Sequence, residues 1–281
     1  MFEVQDPPSD TKSGARFSED EVAAFKQAGF VIARRIVPEE IRQAMLEATQ
    51  AGLTGPILPV EYEADLRYPG APVRLDAQGG RTIRRLKQAL GRHPVFTDWV
   101  SGEPLAGRLR QLLGPRVVLP LAHHNCIMTK QPRFSSETHW HQDIRYWSYE
   151  RPELVSVWLA LGREVAENGC LSVLPGTHRM NFSGEQLDAE LFFREDLPEN
   201  AALIAGRVQA ELEPGDVLFF HARTLHAAGR NLTHEPKFSV VFTFRPADNL
   251  PLPGSRSSAL PELWLPASKD EGGDGRMKTE G

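Results

Sequence analysis

The residue types that could do chemistry gather around one short segment, Thr138-His139-Trp140-His141-Gln142-Asp143. On an extended strand, residues two apart point to the same face, so the His141 imidazole and the Asp143 carboxylate can reach one metal ion. A third ligand is available in His226, 83 residues beyond Asp143. It follows the turn Pro214-Gly215-Asp216 and the apolar run that ends at His221, and so falls near the end of a hairpin in β-type sequence. Two imidazoles and one carboxylate on one side of a metal leave its other positions open, which suits non-haem Fe(II) and oxygen activation. With nine histidines in the chain, a lone His-x-Asp pair carries little weight, and the surrounding sequence has to decide. His178 reads as a residue that orders its own turn. His123 and His124 read as strand neighbours that cannot share a face. Cys126 and Cys170 sit in apolar strand text, where buried, inert thiols are the default.

Two kinds of element must position these groups. The first part of the chain is helical in pattern. Ser18 can cap a helix with Glu21 at the reciprocal capping-box position, Phe17 with Val22 fits a hydrophobic staple, and Gly29 is expected to end the helix. Val31 to Ile36 reads as a strand, and Pro38 opens a second helix with Ile41, Met45 and Ala48 on one face. Further helical periodicity is expected at Ile83 to Leu90 and at Leu105 to Leu113, the latter stopped by Gly114-Pro115. After Pro115 come short β-type runs: 117–121, 124–129, 154–161, 170–174, 208–212, 217–220 and 238–244. Helices followed by short strands, without β-α-β alternation, predict an antiparallel barrel or jelly roll with helices packed outside.

Composition bounds the rest. The chain has 281 residues, 41% hydrophobic and 25% charged, with 23 glycines and 22 prolines, which is ordinary globular composition rich in turns. A formal charge of −5 excludes nucleic acid and anionic membrane as default partners. Two cysteines are too few for a disulfide framework, and no long apolar run or basic-then-apolar leader is present, so a cytoplasmic protein is expected. Residues 17–266 are expected to form a single domain, with polar, mobile segments at 1–16 and 267–281.

Beyond the metal-ligating residues, a series of motifs occurs in order. They are Trp140-His141-Gln142-Asp143, Tyr146-Trp147, Trp158-Leu159-Ala160-Leu161, Glu167-Asn168-Gly169-Cys170-Leu171, Leu174-Pro175-Gly176-Thr177-His178, Pro214-Gly215-Asp216, and His226 with Asn231. Together with the opening from Phe17 to Glu40, this text resembles the phytanoyl-CoA dioxygenase family of Fe(II)/2-oxoglutarate oxygenases over about residues 17–246. The resemblance implies a double-stranded β-helix, a cupin-like jelly roll that is mainly β with helices flanking it. It implies Fe(II) held by His141, Asp143 and His226. It also implies 2-oxoglutarate and O2 as cosubstrates, with release of succinate and CO2 as a substrate C–H bond is hydroxylated. Related halogenating enzymes have a small residue at the carboxylate position, so Asp143 favours hydroxylation.

The chain departs from the pattern where the cosubstrate would be held. The family generally has an arginine about eleven residues after its last histidine, and here that position is Lys237, which shares a strand face with Ser239 and Val241. A lysine supplies charge but not the guanidinium fork. Lys130 and Arg245 are further candidates for the distal carboxylate. Where the family often has a serine two residues after that histidine, this chain has Ala228. Arg145, Tyr146, Trp147 and Arg133, with the cluster Arg84, Arg85 and Lys87, are candidates to meet the substrate, and they favour a small anionic molecule. Two other classes fit parts of the sequence. One is a non-catalytic β-helix that only binds a ligand or metal. The other is a cupin-type metalloenzyme that does not use 2-oxoglutarate, in which His139 would join His141 on the metal.

Overall fold

The computed structural model describes residues 14–66 and 68–268, so the segments expected to be mobile lie largely outside the described residues. The helices are α1 (Glu19–Ala28), α2 (Glu39–Thr54), α3 (Pro94–Ser101), α4 (Glu103–Leu113) and α5 (Pro198–Ile204). The strands up to the one that carries the first metal-ligand candidate, His141, are β1 (Phe30–Ala33), β2 (Val60–Tyr62), β3 (Ile83–Lys87), β4 (Val117–Pro120), β5 (Asn125–Lys130) and β6 (Thr138–His141). After it come β7 (Val155–Ala160), β8 (Leu171–Val173), β9 (Val208–Ala210), β10 (Val217–His221), β11 (His226–Ala228), β12 (Lys237–Pro246) and β13 (Glu262–Trp264).

Among the described residues, every strand pairing is antiparallel, and two sheets result. The large one runs β1-β10-β7-β12-β5-β3-β2, with β4 and β13 attached through β12. The small one runs β6-β11-β8-β9. The sheets face each other, which is the jelly-roll arrangement expected. The central strands β7 and β12 of the large sheet are buried on both faces, and this is why they read as largely apolar runs. Val155, Val157 and Leu159 of β7, and Phe238, Val240, Phe242 and Phe244 of β12, pack against the helices. Trp158 and Val241, from the opposite faces of the same strands, pack toward the small sheet with Leu171 and Ala228.

The helical opening forms as its sequence dictates. The Ser18 hydroxyl accepts from the Glu21 N–H while the Glu21 carboxylate accepts from the Ser18 N–H, and Phe17 packs edge-on against Phe219. Gly29 adopts φ 84°, and a Cβ there would lie 2.4 Å from the His178 ring, so both conformation and close approach require glycine.

One expected helix is a strand. Ile83 to Leu90 has helical spacing, but Ile83–Lys87 is β3, paired with both β2 and β5. The register slips at a bulge, with Tyr62 opposite Ile83 and Glu61 opposite Arg85, so Arg84 is the extra residue. The bulge turns Ile83 and Leu86, three residues apart, into the same helix-side core, which imitates helical periodicity. Helix α3, which starts at Pro94 after the N-cap His93, was not anticipated. His123 and His124 precede β5 rather than lying in it. No helix among the described residues is long and apolar enough to cross a membrane.

Candidate metal centre and its two cavities

His226 on β11 lies directly opposite His141 on β6, so the two imidazoles come together because antiparallel pairing in the small sheet places them in register. Strand β6 ends at His141, and Asp143 begins a short 3-10 turn rather than continuing the strand. Gln142 between them keeps extended angles, φ −104° and ψ 133°, so the two-residue alternation persists and Asp143 still faces the way His141 does. The turn is tied to the large sheet through the Ile144 N–H, which donates to the Ala222 carbonyl at 3.1 Å.

The ligand atoms of His141, Asp143 and His226 lie within 4.8 Å of one another. Nε2 of His141 is 3.8 Å and Nε2 of His226 is 3.6 Å from Asp143 Oδ1. Each ring is oriented by the backbone: His141 Nδ1 donates to the His139 carbonyl at 2.7 Å, and His226 Nδ1 to the Thr224 carbonyl at 3.0 Å. These contacts place the proton on Nδ1 and leave the Nε2 lone pairs facing Oδ1, the second-shell arrangement a metal-binding imidazole needs. Burial, reinforced by repulsion from His226, holds His141 well below the usual histidine range and keeps it neutral. For Asp143, burial alone would raise the pKa. Attraction from His124, His226 and His141 and the Ser156 hydrogen bond outweigh it, and the carboxyl is held at about 2. Two imidazoles presenting Nε2 and an ionised carboxylate on one side of a point are a donor set that fits Fe(II).

Two residues that sequence reasoning missed support Asp143. The Ser156 hydroxyl donates to Asp143 Oδ2 at 2.7 Å, and His124 Nδ1 lies 3.5 Å from the same oxygen. Ser156 was legible only as a small polar residue interrupting the apolar strand β7. His124 carried no signal beyond its type.

Two cavities meet at the candidate metal centre. The inner one, about 50 Å³, is bounded by His226, Met128, Lys130, Trp158, Phe220 and Val241. The outer one, about 290 Å³, is bounded by Arg85, Lys87, His123, Arg145, Trp147 and Arg256. His141 and Asp143 line both. In the outer cavity Glu61 pairs with Arg85 at 3.3 Å and Lys87 at 3.4 Å. Arg145 lies over the Phe192 ring at 3.8 Å and has no ion pair among the described residues. Tyr146 also lines this cavity, whereas Arg133 is exposed and lines neither.

The candidate cosubstrate cations differ sharply. Lys130 Nζ donates to the carbonyls of Ser136 and Gly229 and has no ion pair among the described residues; burial, with repulsion from Lys237 and Arg84, lowers its pKa to about 7. Lys237 does point into the barrel with Ser239, but it donates to Glu164 Oε2 at 2.9 Å. Arg245 is bound to Glu262 and to the carbonyls of Pro246, Ala247 and Asn249, away from both cavities. His139 contacts Glu195 at 3.4 Å and does not join His141, Asp143 and His226 at the candidate metal centre. His178 reaches the Lys26 carbonyl. Both cysteines are buried, and burial pushes the Cys170 thiol up to about 12.

Comparison with known proteins finds relatives of the chain and of its fold. The chain is 24% identical over 238 residues to a probable phytanoyl-CoA dioxygenase of Caenorhabditis elegans, covering 79% of this chain and 73% of that protein. It is 23% identical over 266 residues to the ectoine dioxygenase of Bordetella parapertussis, covering 87% and 81% respectively. Among solved structures, EctD from S. alaskensis with 2-oxoglutarate and 5-hydroxyectoine superposes with a TM-score of 0.70 at 22% identity, covering 86% of this chain and 80% of that one. The carbocyclase SnoK from nogalamycin biosynthesis superposes at 0.65 with 21% identity, covering 88% and 90%. Residues 25–239 match the sequence profile of the phytanoyl-CoA dioxygenase (PhyH) family, and the chain belongs to that family.

Proposed function

We propose that this non-haem Fe(II)- and 2-oxoglutarate-dependent dioxygenase hydroxylates an unactivated C–H bond of a small anionic molecule. The observation that carries the reading is the convergence of His141 Nε2, His226 Nε2 and Asp143 Oδ1, with His141 and Asp143 lining two cavities and His226 lining the inner one. His141, Asp143 and His226 would hold the iron, which with 2-oxoglutarate and O2 supplies the oxidant for C–H cleavage as succinate and CO2 are released. The inner cavity receives the cosubstrate. Its Lys130 is the basic group there without a carboxylate partner among the described residues, and it is suited to the distal carboxylate.

The protein's own residues do the remaining work. Backbone carbonyls fix both imidazoles, and Ser156 fixes the carboxylate, so the donor set is preorganised. Trp158, Phe220 and Val241 give the inner cavity apolar walls that exclude water from the reacting centre. Arg145 and Arg256 offer charge to an anionic substrate in the outer cavity, and Tyr146 and Trp147 offer flat apolar surface. Both cavities meet at His141 and Asp143, which is where a substrate C–H and the cosubstrate must approach each other.

Anaerobic titration of the metal-free protein with Fe(II) and 2-oxoglutarate tests this reading through the weak visible charge-transfer band of the chelate. The band is expected in the wild type and is expected to vanish in Asp143→Ala. Stoichiometric iron binding without any band would overturn the cosubstrate assignment and favour a metal-binding protein of another class.

A further inference from the structure

Lys130 on β5 and Lys237 on β12 stand directly opposite each other in register, two buried cations on neighbouring strands of one barrel. A 2-oxo diacid brings one distal carboxylate into such a space, and one basic group suffices to meet it. Their surroundings divide them. Glu164, fully buried, accepts from Lys237 Nζ at 2.9 Å through Oε2 and from the Ser239 hydroxyl at 2.6 Å through Oε1. Its two oxygens also accept from Trp158 Nε1 at 3.1 and 3.2 Å, and Lys237 Nζ lies 5.1 Å from the centre of the Trp158 ring. Trp158 is itself a wall of the inner cavity. A carboxylate this completely satisfied is a fixed counter-ion, and it cancels the charge that Lys237 would otherwise present. The two guanidinium groups that line the inner cavity are likewise answered, Arg84 by Glu61 and Glu63 and Arg85 by Glu61.

We infer that Glu164 is a specificity-determining residue for the cosubstrate: an internal carboxylate that neutralises Lys237 and so commits the distal carboxylate of the 2-oxo acid to Lys130. This rests on the proposed oxygenase reading and sharpens it. Lys237 and Glu164 then form a closed structural pair, and recognition of the second carboxylate depends on one cation instead of two.

The test compares 2-oxoglutarate with 2-oxopentanoate, which has the same chain length but lacks the distal carboxylate, by anaerobic calorimetry on the Fe(II)-loaded protein. The readout is the ratio of their dissociation constants, and thermal melts check folding. In the wild type 2-oxoglutarate should bind more tightly, and Lys130→Met should abolish the preference. Glu164→Gln keeps the shape of the pair but frees Lys237, and should raise the preference about tenfold, the value of one charge-assisted contact. Because Lys237→Met alone would strand a buried carboxylate, the paired change Glu164→Gln with Lys237→Met is used, and it should retain the wild-type ratio. An unchanged ratio in Glu164→Gln, or a lost preference in the paired variant, would overturn the inference while leaving the oxygenase reading intact. Failure of the wild type to bind either acid would overturn both.

Discussion

Strand β12 carries two molecules' worth of chemistry on its two faces. On the helix side, Phe238, Val240, Phe242 and Phe244 form part of one apolar core with α3 and α4. On the barrel side, Lys237, Ser239 and Thr243 are polar, buried and engaged with Glu164 or Ser156, and Val241 alone is apolar. The helix-side residues are interchangeable in kind, since any well-packed hydrophobe would do. Those on the barrel side are not, because each buried polar atom must find a particular partner. On the proposed reading, stability falls to one face of this strand and function to the other, although both faces are almost wholly buried.

That division can be broken experimentally. The largest effect should come from the barrel side: Asp143→Ala should lower substrate-dependent succinate formation by about a thousandfold or more. Near-wild-type resistance to urea should accompany the loss. The converse change, Phe242→Ala, should cost about 3–5 kcal/mol in urea unfolding while leaving the iron affinity of the folded fraction unaltered. If Phe242→Ala abolished iron binding in still-folded protein, the two faces would not be separable. A finer probe is Ser156→Ala, which removes the hydroxyl from Asp143 Oδ2 and should weaken iron binding about tenfold, measured by competition with a chelator.

The smallest expected effect is one of pH. Lys130, facing Lys237, Arg84, Glu63 and Glu137, has a pKa lowered to about 7. Its charge therefore disappears as pH rises through neutrality. Affinity for 2-oxoglutarate should fall about fourfold between pH 6 and pH 7.5, and affinity for 2-oxopentanoate should not follow it. In the absence of cosubstrate the sign for folding is opposite. The unfolded chain holds this proton up to the usual lysine range, so between about 7 and that range this group makes the protein more stable as pH rises.

Much of the candidate site was legible in the sequence because the candidate ligands follow strand periodicity. His141 and Asp143 needed only two-residue alternation, and His226 only a turn and a hairpin. The face of Lys237 followed from the same alternation. What the sequence did not contain was what lies across from each residue. Glu164 reads as one more acidic residue in a polar turn, and only the closure of the barrel brings it onto a lysine 73 positions away. The same holds for His124 against Asp143. The helix expected at Ile83 to Leu90 failed for a local reason, since a bulge alters the two-residue period on which strand recognition depends. Arg133 illustrates a third limit: a charge near the site in sequence can project away from it.

The pairing of His226 with His141 has a consequence for the order in which the molecule assembles. The small sheet is made of strands three or four residues long, too short to be durable alone. Its β6 and β11 come from parts of the chain 85 residues apart. An ion gripping both histidines would act as a clasp across that junction, closing a long loop whose entropy the short ladder meets poorly. Iron would then belong to the architecture as well as to the chemistry, and the sheet that holds the metal would be the one the metal holds shut.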